Sequence, residues 1–108
     1  MKVFSEYHDG KLTIFLQGEL DHHEVRESMA LIDELLDSSL PRECALNLRA
    51  LSFMDSSGIA LILKLRKRML DSGGSAWVEE PCAQPLRVID ASGIERIVKI
   101  TAERGAEA

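Results

Sequence analysis

Short apolar runs alternate along the chain with amphipathic segments of helical length, and this alternation limits the possible folds more than any other feature. "CALNL", "SAWVEE" and "IVKIT" have the length and composition of strands, and segments with helical spacing separate them. Strands that are linked through helices are typical of parallel crossovers. The sequence therefore predicts an α/β fold with a mostly parallel sheet.

The N-terminal part of the chain has a different pattern. "KVFSEYH" and "LTIFLQG" are rich in residues that favour strands, and Asp9-Gly10-Lys11 separates them. Asp-Gly between two such runs is the strongest short signal for a β-hairpin. We expect two antiparallel strands that lead into the parallel part of the sheet, with helices packed against it.

Three segments are predicted to be helices. The first lies in "ELDHHEVRESMALIDELLDSSLP", where Asp21 can cap the start and Pro41 marks the end. The second comes after "LSFM" and ends at "DSGG", where Gly73 or Gly74 can adopt the left-handed conformation. The third is "PCAQPLRVIDASG", which stops at Gly93, and the tail "AERGAEA" frays or continues as a short helix.

The composition excludes several classes of function. The chain has 108 residues, enough for one domain, which we assign to residues 1–101 with a tail over residues 102–108. Its 18 acidic and 13 basic residues give a net charge of −5, which argues against binding to nucleic acid or to an anionic membrane. The N-terminus lacks the hydrophobic core of a signal peptide, so we expect a cytoplasmic protein.

The residues that commonly bind metals are poorly spaced for that purpose. Cys44 and Cys82 lie far apart and form no CxxC pair, so neither a disulfide nor a zinc site is indicated. His22 and His23 are adjacent, and neighbouring helical residues point about 100° apart. We therefore expect no metal and no cofactor.

The segment "MDSSG" places a carboxylate, two hydroxyls and a glycine at a predicted helix start. Asp55 or Ser56 can cap this helix, and a cap alone would explain the pattern. Both "MDSSG" and "GELDHH" fall where a strand ends and a helix begins. In open α/β sheets, functional loops gather at this edge.

These two segments, with "LNL" before "MDSSG" and "DASGI" after it, resemble the STAS domain family in its branch of anti-sigma factor antagonists. The resemblance extends from the hairpin to "DASGIERIVKI" and implies the STAS fold. "FMDSSG" is typical of the family, and "GELDHH" favours the sporulation members that control sigma F. The family often has "GLG" after the serines, where this chain has Gly58, Ile59 and Ala60.

The resemblance implies a phosphorylation-controlled switch and not an enzyme. The unphosphorylated antagonist binds an anti-sigma factor serine kinase, of the stage II sporulation protein AB type, and thereby releases the sigma factor. The kinase then phosphorylates the serine after the aspartate, here Ser56, and a serine phosphatase reverses the modification. The residues that the resemblance places at the partner-binding surface are Glu19, Asp21, Asp55, Ser56, Ser57 and Gly58.

The chemistry of a helix start is compatible with this modification. Unpaired backbone N–H groups and the helix dipole favour a phosphate there, so the fold should tolerate it. Gly58 has no side chain, which would let a kinase approach Ser56 closely.

Three alternatives stay open. The chain could be a general-stress antagonist, or a structural STAS module such as a transporter regulatory subunit. A hydrolase or transferase with Ser56 or Ser57 as nucleophile is disfavoured because there is no G-x-S-x-G elbow and no P-loop.

The second predicted helix carries a run of basic residues, which are Lys64, Arg66, Lys67 and Arg68. They either complement the carboxyl end of their helix or face a partner.

Overall fold

The computed structural model describes residues 1–101, which form a six-stranded sheet, three α-helices and one short 3-10 helix. The predicted α/β class is confirmed. The tail that we predicted over residues 102–108 lies outside the described residues. In chain order the elements are β1 (Lys2–His8), β2 (Lys11–Leu20), α1 (Val25–Ser39), β3 (Glu43–Asn47), β4 (Leu51–Met54), α2 (Ser56–Asp71), β5 (Ser75–Glu79), α3 (Ala83–Ser92), the 3-10 helix (Ile94–Arg96) and β6 (Ile100–Thr101).

The N-terminal hairpin is confirmed. β1 and β2 pair antiparallel from the Lys2–Gln17 pair to the His8–Lys11 pair. Asp9 and Gly10 join them with φ values of 49° and 85°. Two successive residues with positive φ make the turn whose twist suits a hairpin, which is why the Asp-Gly sequence is favoured there.

The remaining strands are parallel to β2, and β2 has two parallel neighbours. The main order is β1-β2-β3-β5-β6, and β4 pairs with β2 outside this order. The first half of β2 pairs with β3, whereas Gly18, Glu19 and Leu20 pair with β4. The register shifts between Gly18 and Glu19, and Gly18 has a φ of 116°. This irregularity lets one strand leave β3 and continue beside β4.

The core lies between the sheet and the helices. The central strands are buried in continuous runs, from Leu12 to Ile14 in β2 and from Cys44 to Asn47 in β3, as is typical of strands covered on both faces. They meet the apolar faces of the helices, where buried residues recur at helical spacing. The main members of this core are Leu12, Ile14, Leu16, Ile32, Leu36, Leu46, Leu61, Leu65, Met69, Val78 and Ile89.

The boundaries of two elements differ from the predictions. α1 begins at Val25, because the residues after Asp21 first form a turn. β6 keeps only the end of "IVKIT", since the N–H groups of Ile97 and Val98 donate to the carbonyl of Ile94 and close the 3-10 helix. The stops at Gly73 and Gly93 are as expected, with φ values of 84° and 75°.

Candidate functional site

The parallel pairing of β2 with β4 brings two helix starts together. Leu20 pairs with Met54 at the carboxyl ends of these strands, and the N–H of Asp55 donates to the carbonyl of Leu20 at 3.3 Å. The β2–α1 and β4–α2 connections therefore lie side by side. The sequence motifs "GELDHH" and "MDSSG" form one surface, as the edge rule for parallel sheets predicts.

Asp55 caps α2 and leaves Ser56 exposed as the first helical residue. The backbone of Asp55 is extended, and its Oδ1 accepts a hydrogen bond from the N–H of Ser57 at 2.8 Å. The carbonyl of Asp55 accepts from the N–H of Gly58 at 2.9 Å. Two first-turn amides are thus already occupied, which corrects the expectation that they are free to receive a phosphate on Ser56.

The carboxyl group of Asp55 is held in its ionised form. Partial burial raises its pKa, but the hydrogen bonds from the backbone and side chain of Ser57 and from the backbone of His22, with the charge of His22, lower the pKa below its usual value overall. Nδ1 of His22 lies 3.9 Å from Oδ2 of Asp55. The imidazole of His22 therefore lies beside the carboxylate that caps α2, and the sequence did not predict this contact.

Asp21 and Glu19 lie on the neighbouring connection. Oδ1 of Asp21 accepts from the N–H groups of His23 at 2.9 Å and Glu24 at 3.1 Å, so Asp21 caps the turn that precedes α1. Glu19 is exposed and pairs with Phe53 across the two strands. Asp21 and Asp55 therefore place one capping carboxylate on each of the two connections, while Glu19 lies at the end of β2, and a partner-binding role of Glu19 and Asp21 stays a prediction.

Gly58 is buried against the side chain of Met54. A Cβ atom at position 58 would lie 2.7 Å from Sδ and 3.1 Å from Cβ of Met54. Close packing inside the protein is thus a sufficient reason for glycine here. The predicted role of Gly58 in the approach of a kinase stays a prediction, and so does the partner role of the half-buried Ser57.

Gln84 of α3 contacts the same junction and was not identified from the sequence. Its Oε1 accepts from the N–H of Met54 at 2.9 Å, and its Nε2 donates to the carbonyl of Met54 at 3.1 Å. Gln84 and Arg87 also line a groove between α2 and α3 that includes Ser56. No local pattern marks such a glutamine, because its partner lies 30 residues away.

Two residues of the basic run are engaged within the protein. Arg68 contacts Asp33 at 2.6 Å and also Asp37, and so joins α2 to α1. Nζ of Lys67 lies 2.9 Å from the carboxylate of Asp71, one helical turn away. Both side chains have carboxylate partners on the molecule's own helices.

The structure adds three findings on the wider chemistry of the chain. Within residues 1–101, no group of three or more His, Cys, Asp or Glu residues is arranged to hold a metal ion. Cys44 and Cys82 are both free thiols. None of the helices in the described part of the chain is long and apolar enough to cross a membrane.

The fold and this junction define a small α/β domain with an exposed serine at the start of a helix that an aspartate caps. The STAS domain family model matches residues 4–106, and the chain belongs to this family. Its sequence is 34% identical over 100 residues to the anti-sigma F factor antagonist of Paenibacillus polymyxa, covering 93% of this chain and 86% of the relative. The anti-sigma factor antagonists are therefore the branch of the family that the chain matches.

Solved structures agree with this assignment. The anti-sigma factor antagonist SpoIIAA in its unphosphorylated form matches with a TM-score of 0.77 and 28% identity, over 92% of this chain and 87% of that chain. The phosphorylated form of the Bacillus cell fate determinant SpoIIAA matches with a TM-score of 0.69 and 28% identity, over 92% of this chain and 90% of that chain. The predicted STAS fold is confirmed.

Proposed function

We propose that this protein is an anti-sigma factor antagonist whose binding to an anti-sigma factor serine kinase is abolished by phosphorylation of Ser56. The observation that carries the proposal is the exposure of Ser56 directly after a capping aspartate, beside the acidic β2–α1 connection. In the unphosphorylated form this surface binds the kinase, and the sigma factor is released. A serine phosphatase restores the binding-competent form.

The proposed switch acts through local charge. A phosphoserine adds about 1.5 to 2 negative charges at neutral pH. In water, a phosphate about 4 Å from the ionised carboxylate of Asp55 is repelled by about 1 kcal/mol, and the repulsion rises to about 4 kcal/mol at the lower dielectric of a surface that a partner covers. The difference of about 3 kcal/mol weakens binding more than a hundredfold. Repulsion of this size makes a refolding step unnecessary.

Sigma F is the proposed target. "GELDHH" favours the sporulation branch, and the relative in Paenibacillus polymyxa is named for sigma F. SpoIIAA has been solved in an unphosphorylated and a phosphorylated form, which supports control by phosphorylation in a protein of this fold. The partners are accordingly a kinase of the stage II sporulation protein AB type and a dedicated phosphatase, in the cytoplasm.

The proposal is tested by mixing the purified protein with its anti-sigma factor kinase and ATP. Mass spectrometry should find one phosphate, on Ser56, in the wild type and in the matched control Ser57→Ala. Ser56→Ala should retain kinase binding without modification, and Ser56→Asp should bind more weakly in calorimetry. A phosphate at another residue, or equal binding by the aspartate and alanine variants, would contradict the proposal.

The same experiment separates the alternatives. The hydrolase hypothesis requires a base that is hydrogen-bonded to the hydroxyl of Ser56 or Ser57, and among residues 1–101 no histidine makes such a bond. Turnover of simple esters by the protein alone would nevertheless support that hypothesis. Absence of both kinase binding and modification would indicate a structural STAS module.

A further inference from the structure

We propose that Gln84 is a positioning residue for the phosphoacceptor serine. Its side-chain carboxamide makes the hydrogen bonds that a neighbouring strand would make on the side of β4 opposite β2. This inference rests on the proposed function, because it concerns how Ser56 is presented to the kinase. The two hydrogen bonds of the Gln84 carboxamide to the backbone of Met54 carry it.

The carboxamide of Gln84 completes the hydrogen bonding of β4. This strand has four residues and pairs with β2 on one side. The N–H and C=O of a strand residue point to the same side, so Met54 presents both groups away from β2. A neighbouring strand would normally satisfy them. Here the carboxamide of Gln84, which has the same donor and acceptor as a peptide group, takes that place at 2.9 Å and 3.1 Å.

The position of Met54 in the chain connects these two bonds with Ser56. Met54 is buried, and the next two residues are the cap Asp55 and the exposed Ser56. The N–H of Asp55 donates to Leu20 on the β2 side. The backbone immediately before Ser56 is therefore held from both sides, by β2 and by α3. Without Gln84 one of these two attachments is lost.

Phosphoryl transfer depends on the exact position of the serine oxygen. A kinase needs this oxygen in line with the phosphate, and a misplacement of about 1 Å costs about a hundredfold in rate. Gln84 lines the α2–α3 groove next to Ser56, so it acts at short range. Its loss should slow the chemical step more than it weakens docking of the protein to the kinase.

The test uses Gln84→Met, which keeps the length of the side chain and removes both hydrogen bonds. Steady-state kinetics with the anti-sigma factor kinase and ATP should show a kcat about tenfold or more below wild type, with the KM for the antagonist within about twofold. Hydrogen exchange of the Met54 amide should become about tenfold faster. Ile89→Val is the matched control, because Ile89 is fully buried in the same helix and its truncation destabilises α3 without removing the hydrogen bonds of Gln84.

The outcomes separate the two proposals. If wild type is phosphorylated on Ser56 and Gln84→Met has the kcat of wild type or of Ile89→Val, the positioning role is wrong and the proposed function stands. Unchanged exchange at Met54 would also overturn the positioning role. If wild type is not phosphorylated on Ser56 at all, the proposed function fails and the positioning role fails with it.

Discussion

Replacing Gly58 with alanine has two effects on the free energy of unfolding, which are of comparable size and opposite sign. Alanine is the better helix former, which is worth at most about 1 kcal/mol at this position in the first turn. The new methyl group, however, would lie 2.7 Å, 3.1 Å and 3.2 Å from Sδ, Cβ and Cγ of Met54. These atoms extend along the whole side chain, so rotation of the thioether alone does not relieve the contact.

The cost of overpacking should exceed the gain in helix propensity. Met54 is 1% exposed and surrounded by the core, and overpacking of such a site costs about 1–3 kcal/mol. We therefore expect Gly58→Ala to lower the free energy of unfolding by up to about 2 kcal/mol after the helix gain of about 1 kcal/mol is subtracted from the packing cost. For a domain of this size a loss of about 2 kcal/mol corresponds to about 10 °C in Tm.

Urea denaturation monitored by circular dichroism measures the effect, and two further variants calibrate it. Ala60→Gly, at an exposed position of the same helix, should cost about 1 kcal/mol and reports the helix propensity alone. A Met54→Ala background removes the Sδ and Cγ contacts and leaves only the Cβ contact of 3.1 Å, so there the cost of Gly58→Ala should fall to near zero. Stabilisation by Gly58→Ala in the wild-type background would refute the reasoning.

Two other predictions concern the cap of α2 and the thiols. The pKa of Asp55 is depressed in the folded state, so its contribution to stability is present above the unfolded pKa of about 4 and is lost as the pH falls through the folded value. Asp55→Ala should therefore lower the free energy of unfolding by about 1 kcal/mol at pH 7. In urea titrations, the difference in the free energy of unfolding between wild type and Asp55→Asn should decrease from pH 7 towards pH 3, and a difference that does not change with pH would contradict this. Burial raises the pKa of the Cys44 thiol to about 12, whereas Cys82 is exposed, so a thiol reagent at pH 8 should label one cysteine in the folded protein and both in urea. Rapid labelling of Cys44 before unfolding would show that it is accessible.

The parts of the fold that depend on local rules could be predicted. The Asp-Gly turn needs two positive φ values, and few sequences provide them, so the hairpin was clear. The stops at Gly73 and Gly93 reflect the same preference for a left-handed residue after a helix. A strand end was expected before "MDSSG", but β4 was not predicted as a separate strand, because it is short and two of its residues, Ser52 and Phe53, are exposed, which leaves no regular alternation.

The sequence was sufficient to identify several residues of the candidate site but not to predict how they are arranged. Asp55 and Ser56 were identified because caps are local, and the sheet edge rule placed them near Asp21. The bonds from Gln84 to Met54 depend on how α3 packs against β4, which no spacing reveals. The packing that requires a glycine at position 58 likewise depends on the burial of Met54 beneath α2.

The length of β2 separates the two ends of the molecule in a way that suits measurement. Ten residues at about 3.3 Å each place the Asp9–Gly10 turn about 30 Å from the end of the strand beside Ser56. The side chain of His8, next to that turn, is 90% exposed. A dye or a surface tether attached at residue 8 therefore stands clear of the serine end, so the arrival and departure of a large partner can be monitored in real time by anisotropy or on a sensor chip.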